Sequence, residues 1–127
     1  MYKRQYHNHA FEFEHRIDGV SAYEVFANAL HDDVVLELDT YWCEVGGDSA
    51  VDVLGKLGDK VRFLHVKDGD GTKNDKAQVA VGNGIMPVRE IIAAAPQAQQ
   101  VIELDDHEGD VFQAAADSHA FLAGVRA

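Results

Sequence analysis

Four pairs of ionisable side chains recur in this chain two residues apart: His7 and His9, Glu37 and Asp39, His65 and Lys67, Glu103 and Asp105. In an extended strand, residues i and i+2 point to the same face. Each pair therefore presents two polar groups side by side from one strand. Such groups on the inner face of an apolar strand are costly unless something satisfies them. Brought together, the pairs would gather carboxylates, imidazoles and one ammonium in one place. Clustered carboxylates need countercharge in a low-dielectric pocket. Lys67 supplies one positive charge, and a divalent cation would supply two more. The mixture of imidazole nitrogen and carboxylate oxygen suits Mn²⁺, the preferred expectation, or Co²⁺, Zn²⁺ or Mg²⁺.

Each residue also has a plainer reading. Glu37 lies deeper in its strand than Asp39, so it can be either a site group or a structural carboxylate. His9 can simply hydrogen-bond a neighbour. Asp105 and Asp106 can be loop carboxylates in water. Trp42 is either a core aromatic or an apolar wall against the C–H face of a sugar. Asp39, His65 and Glu103 are the strongest ligand candidates.

The elements that would carry these residues are legible from period and punctuation. Strands are expected over residues 6–14, 34–39, 61–67 and 100–105. Helices are expected over 22–30, with an apolar stripe of Ala22, Val25, Phe26 and Ala29, and over 50–57, 88–95 and 111–125. Asp18-Gly19 reads as a turn, Ser21 with Glu24 as a capping box, Ser49 and Asp110 as helix caps, and Pro87 as a first-turn proline. Residues 40–47 read as a loop. A longer polar loop, 68–84, is expected to be functional or disordered. Strands alternating with helices at about 30-residue spacing imply βαβ units and a parallel sheet, an α/β fold of four consecutive βα units.

With 127 residues, 46% of them hydrophobic, the chain is one domain or a piece of one. Its net charge of −11 disfavours nucleic acid and anionic membranes. No apolar run approaches the roughly 20 residues of a membrane-spanning helix. The lone cysteine, Cys43, makes the reducing cytoplasm the expected location. Residues 1–5 read as a non-native tail: Tyr2–Gln5 back-translates to something like a transposon end used in preparing sequencing libraries. The expected domain is therefore 6–127, with earlier strands absent.

Three short motifs carry little weight. His7-Asn8-His9 spells a nuclease signature without its scattered partners. Asp68-Gly69-Asp70-Gly71 opens like a calcium loop, but Lys73 and Val79 stand where glycine and an acid are required. His7 and His9 followed by Glu14 resemble a cupin motif in a chain that alternates with helices, as cupins do not. Gly82-Asn83-Gly84 reads as a turn, not a phosphate loop.

With these residues in hand, the sequence resembles the sugar phosphate isomerase/epimerase family, the xylose-isomerase-like TIM barrels. The matching segments are YHNHAFEFE at 6–14, LELDTYW at 36–42, FLHVKDGDG at 63–71, VGNGIMP at 81–87 and VIELDD at 101–106. They fall in the family's order and look like the fifth to eighth βα units, the C-terminal half of a (β/α)8 barrel. The resemblance implies a metal ligand from each strand. Asp39, His65 and Glu103 match three of them. Many relatives have a glutamate on the fifth strand, where this chain has His7, with His9 and Glu12 as alternatives for the fourth ligand.

The activity implied is isomerisation or epimerisation of a sugar or sugar phosphate, by proton abstraction next to a carbonyl that the metal polarises. Glu103 would be the base, with His7 or His9 as its partner, and Lys67 would hold a substrate oxygen. His9, Trp42, Lys67 and Asp105 would line the substrate. The alternatives are a keto-polyol dehydratase, a hydrolase like the apurinic endonucleases, or an inert half barrel. Two copies pairing as a homodimer would complete a ring.

Overall fold

The computed structural model describes residues 4–126, so the first three residues of the expected tail, 1–5, lie outside the described residues. Arg4 and Gln5 belong to the first strand, β1 (Arg4–His7), where they pair with Val34 and Val35. The chain continues through α1 (Phe11–Glu14), β2 (Arg16–Ile17), β3 (Val20–Ser21), α2 (Ala22–Ala29), β4 (Val34–Asp39) and α3 (Thr40–Val45). Then come α4 (Ala50–Leu57), β5 (Val61–Val66), α5 (Val88–Ala94), β6 (Gln99–Ile102) and α6 (Val111–Arg126). Strands β1, β4, β5 and β6 form one sheet in that order, every pairing parallel. The α/β alternation read from the sequence is the observed architecture.

Period two sorts the central strands. Leu36 and Leu38 of β4 and Leu64 and Val66 of β5 are fully buried on the helix side, against Val53, Leu54, Leu57 and Ile91. Burying each such side chain contributes about 1.5–3 kcal/mol. The opposite face carries Glu37, Asp39 and His65. The register sets His7 beside Glu37 and Asp39 beside His65. Sheet pairing thus aligns the polar strand ends.

Several local expectations give way. The first strand stops at His7 rather than running through 6–14. Asn8 ends it: its side-chain amide donates to Asp39 O (3.1 Å) and accepts from Asp39 N–H (2.9 Å), imitating one further rung of the ladder. The freed backbone turns into α1, and the Glu12 carboxylate accepts from His9 N–H. The loop expected at 40–47 is largely α3. Asp39 is its cap, taking the Trp42 N–H on Oδ1 at 2.9 Å.

Helix α2 is rolled relative to the expected stripe: Tyr23 and Ala27 are buried, while Val25 and Phe26 are partly exposed. Tyr23 packs on Phe13 of α1, at a ring separation of 4.7 Å. The Asp18-Gly19 turn holds, with φ 52° and 84°, and it closes a small β2–β3 hairpin. Ser21 caps α2 as expected, while Glu24 reaches across to Lys56. Strand β6 ends before Glu103, whose N–H still reaches Val66 O at 3.4 Å.

The connection after β5 is folded around one buried carboxylate. Asp68 accepts from the N–H groups of Gly69, Gly82, Gly84 and Met86 at 2.9–3.1 Å. The Gly82-Asn83-Gly84 turn lies against it. A Cβ at Gly84 would fall 2.1 Å from Asp68 Oδ1, so only glycine fits there. Among the described residues, no helix is long and apolar enough to cross a membrane.

Candidate metal centre

Asp39 is the best-anchored side chain at the strand ends. It is fully buried at the last position of β4. Asn8 takes its backbone, and α3 takes Oδ1. Oδ2 is left to face the centre, 3.1 Å from His7 Nε2 and 2.9 Å from Lys67 Nζ.

His65 is oriented from behind. Its Nε2 lies 3.1 Å from Glu37 Oε1, and Gln5 Nε2 donates to Glu37 Oε2 at 2.7 Å. The negative charge of Glu37 beside Nε2 favours a proton there and leaves the Nδ1 lone pair to the centre. Nδ1 points inward, 3.9 Å from Asp39 Oδ2 and 2.6 Å from Glu103 Oε2. His7 closes the group, its ring 4.4 Å from that of His65.

One donor atom from each of His7, Asp39, His65 and Glu103 lies within 4.8 Å of the others. His65 Nδ1 and Glu103 Oε2 are both buried and lie 2.6 Å apart, and the Lys67 ammonium stands 2.9 Å from that oxygen. A ring nitrogen and a carboxylate oxygen turned to the same point can bind one cation together. Two imidazole nitrogens with two carboxylate oxygens are borderline ligands for a first-row divalent metal. The residues present therefore fit a divalent ion.

Lys67, which the resemblance implies would hold a substrate oxygen, has its ammonium enclosed by carboxylates. Nζ lies 2.9 Å from Asp39 Oδ2, 2.9 Å from Glu103 Oε2 and 2.8 Å from Asp105 Oδ2. The Trp42 ring stands 5.7 Å away. Burial alone would lower the Lys67 pKa. The Asp39 charge and the bonds to Asp105, Asp39 and Glu103 overcome that and raise it. Burial likewise works to lower His7, but the bond to Asp39, its charge and that of Glu103 leave it raised, against opposition from Lys67. Asp105 moves the other way: burial would raise it, and the bonds from Lys67 and Gln78 hold it low.

His9 is exposed at the rim, 5.0 Å from the His7 ring and 6.4 Å from Trp42. Trp42 is 7% exposed, a wall between the Ala10–Tyr41 packing and the centre, and its indole N–H has no hydrogen-bond partner. Glu12 is turned away, bound to the Tyr6 hydroxyl and His9 N–H. Asp106 is exposed and bonds to His107 N–H.

Two contributors escaped the sequence reading. Asn8 ties β1 to Asp39. Gln78 is almost fully buried and grips Asp105 at both ends of its amide: Nε2 donates to Oδ2 at 2.8 Å, and Oε1 accepts from Asp105 N–H at 2.7 Å. Asn8 had a signal, an amide between two site histidines. Gln78 had none, since nothing local marks one polar loop residue as buried.

Parallel strands alternating with helices, with ionisable groups at their carboxyl ends, are the arrangement of a TIM-barrel segment. No protein-family model and no curated protein matches the sequence. Solved structures do. Two sugar phosphate isomerase/epimerases from Parabacteroides distasonis are similar, at TM-scores of 0.71 and 0.72 with 24% and 27% identity, over 94% and 93% of this chain. A xylose isomerase domain protein from Planctomyces limnophilus is similar at TM-score 0.64 with 15% identity, over 94% of the chain. The chain spans only 44%, 43% and 43% of these structures. Its structural neighbours are thus sugar isomerase/epimerase and xylose-isomerase-like proteins, of which it corresponds to less than half.

Proposed function

We propose that this chain carries the metal-binding half of a divalent-metal-dependent sugar or sugar phosphate isomerase/epimerase. The observation that carries the reading is the convergence of His7, Asp39, His65 and Glu103, with His65 Nδ1 buried and turned inward without a well-directed hydrogen bond. A divalent cation there, Mn²⁺ first, would polarise a substrate carbonyl and stabilise the charge that develops when the neighbouring C–H is deprotonated. Glu103, the most exposed of the four at 36%, is the base that takes that proton. His7 or His9 returns a proton to the other carbon or face. Trp42 shields the centre from water on one side, and with His9 and Asp105 it lines the approach of the substrate. Lys67 supplies countercharge. The lone buried thiol of Cys43 supports a reducing compartment, the cytoplasm.

A keto-polyol dehydratase is the second reading. It is favoured by an imidazole at His7, where a two-carboxylate mechanism would need an acid. It shares the first proton abstraction. In titrations with Mn²⁺, the wild type should bind, and Asp39→Asn and His65→Ala should each bind far more weakly. Unchanged affinity in both variants would overturn the metal assignment. Incubation with Mn²⁺ and ketohexoses or their phosphates in D2O, followed by NMR, reads deuterium incorporation beside the carbonyl.

A further inference from the structure

We propose that Lys67 is a built-in countercation of the metal centre: its ammonium and an incoming divalent cation compete for Asp39 Oδ2 and Glu103 Oε2, and Asp105 retains the ammonium once the cation has taken them. The inference rests on the metal-centre reading above and goes beyond it. Three carboxylate oxygens surround Lys67 Nζ at 2.8–2.9 Å, and its side chain is fully buried. Two of those oxygens belong to the candidate ligand group, and the third does not. Asp39 has no other oxygen to offer, because Oδ1 caps α3 through the Trp42 N–H. The contested oxygen is therefore fixed by the fold.

The third oxygen is held as firmly. Gln78, itself 1% exposed, clamps Asp105 through both its carboxylate and its backbone N–H. The Gln78 carbonyl in turn lies 2.9 Å from His107 Nδ1. The Trp42 ring offers the ammonium a second neighbour at 5.7 Å. Lys67 thus has a prepared position away from the ligand oxygens, and Gln78 is the residue that positions it. In the metal-free centre, a fixed positive charge keeps Asp39 and Glu103 from repelling each other. The same charge opposes metal loading, because two cations close together in a poorly solvated pocket repel.

Mn²⁺ titration of the wild type, His65→Ala and Lys67→Met separates the possibilities. Lys67→Met should bind Mn²⁺ about tenfold more tightly or better, and it should unfold at a lower temperature without Mn²⁺ but recover when Mn²⁺ is added. Affinity equal to the wild type or weaker would overturn the countercation role while leaving the metal centre standing. A wild type that binds no Mn²⁺ would overturn the metal centre itself, and this inference with it. If Lys67→Met does not fold, Asp105→Asn decides. Deprived of its third carboxylate, the ammonium should press harder on the ligand oxygens and weaken Mn²⁺ binding about fivefold or more; unchanged or tighter binding would overturn the inference.

Discussion

Glu37 shows how one buried carboxylate can set the chemistry of a residue it would never share a ligand with. It spends one oxygen on Gln5 and sets the other 3.1 Å from His65 Nε2, so Nδ1 is the ring nitrogen turned to the centre. Glu37→Gln keeps the shape and the Gln5 side of the network, but it removes the charge that favours a proton on Nε2. Mn²⁺ affinity should fall about 10- to 100-fold, as is typical when such a supporting carboxylate is lost. Calorimetric titration measures it, and an affinity within twofold of the wild type would mean that His65 is oriented by something else. From the sequence, Glu37 could be either a site group or a structural one. It lies outside the candidate ligand group and directly behind His65. The i, i+2 spacing revealed that it faces inward, but it could not reveal which inward groups touch each other, because that depends on register between strands some 26 residues apart, as the Glu37↔Phe63 pairing shows.

At the scale of elements, the long segments were readable because burial imposes a period on them. Strand β4 and helix α4 have the expected bounds. The short segments were not readable. Helices α1 and α3 have only four and six residues, too few for a period, and they exist because Asn8 and Asp39 supply hydrogen bonds that the local sequence does not advertise. The roll of α2 followed from missing α1, since Phe13 dictates which face of α2 is buried. The connection after β5 was readable as long and polar, but not as ordered. Its order comes from Asp68, four of whose hydrogen bonds are to backbone donors distributed from Gly69 to Met86. Asp68→Ala should cost on the order of 3 kcal/mol, because those donors lose their acceptor while remaining partly buried. Urea denaturation measures the loss, and hydrogen exchange should show faster exchange through residues 69–86 than through β4. Equal protection in the two proteins would show that the loop is held by other contacts.

At the scale of the whole molecule, the candidate ligands come from four successive βα units, so a bound ion would tie the sheet together across its full width. In the described residues β1 and β6 are the sheet edges, and the net charge of −11 sets copies of the chain against one another in solution. The Asp68 cage also bears on how long the protein lasts. Asn83 is exposed and followed by Gly84, the pairing in which an asparagine side chain is most readily attacked by the next backbone nitrogen to give a succinimide and then aspartate. Here that nitrogen is committed: Gly84 N–H donates to Asp68 Oδ2 at 3.1 Å. A carboxylate that shapes a loop thereby also restrains the nucleophile of an ageing reaction. On storage at mildly alkaline pH, Asn83 should convert slowly for an exposed Asn-Gly pair in the wild type and markedly faster in Asp68→Ala, read by mass spectrometry of the peptide that contains it. The same rate in both would show that the hydrogen bond gives Asn83 no protection.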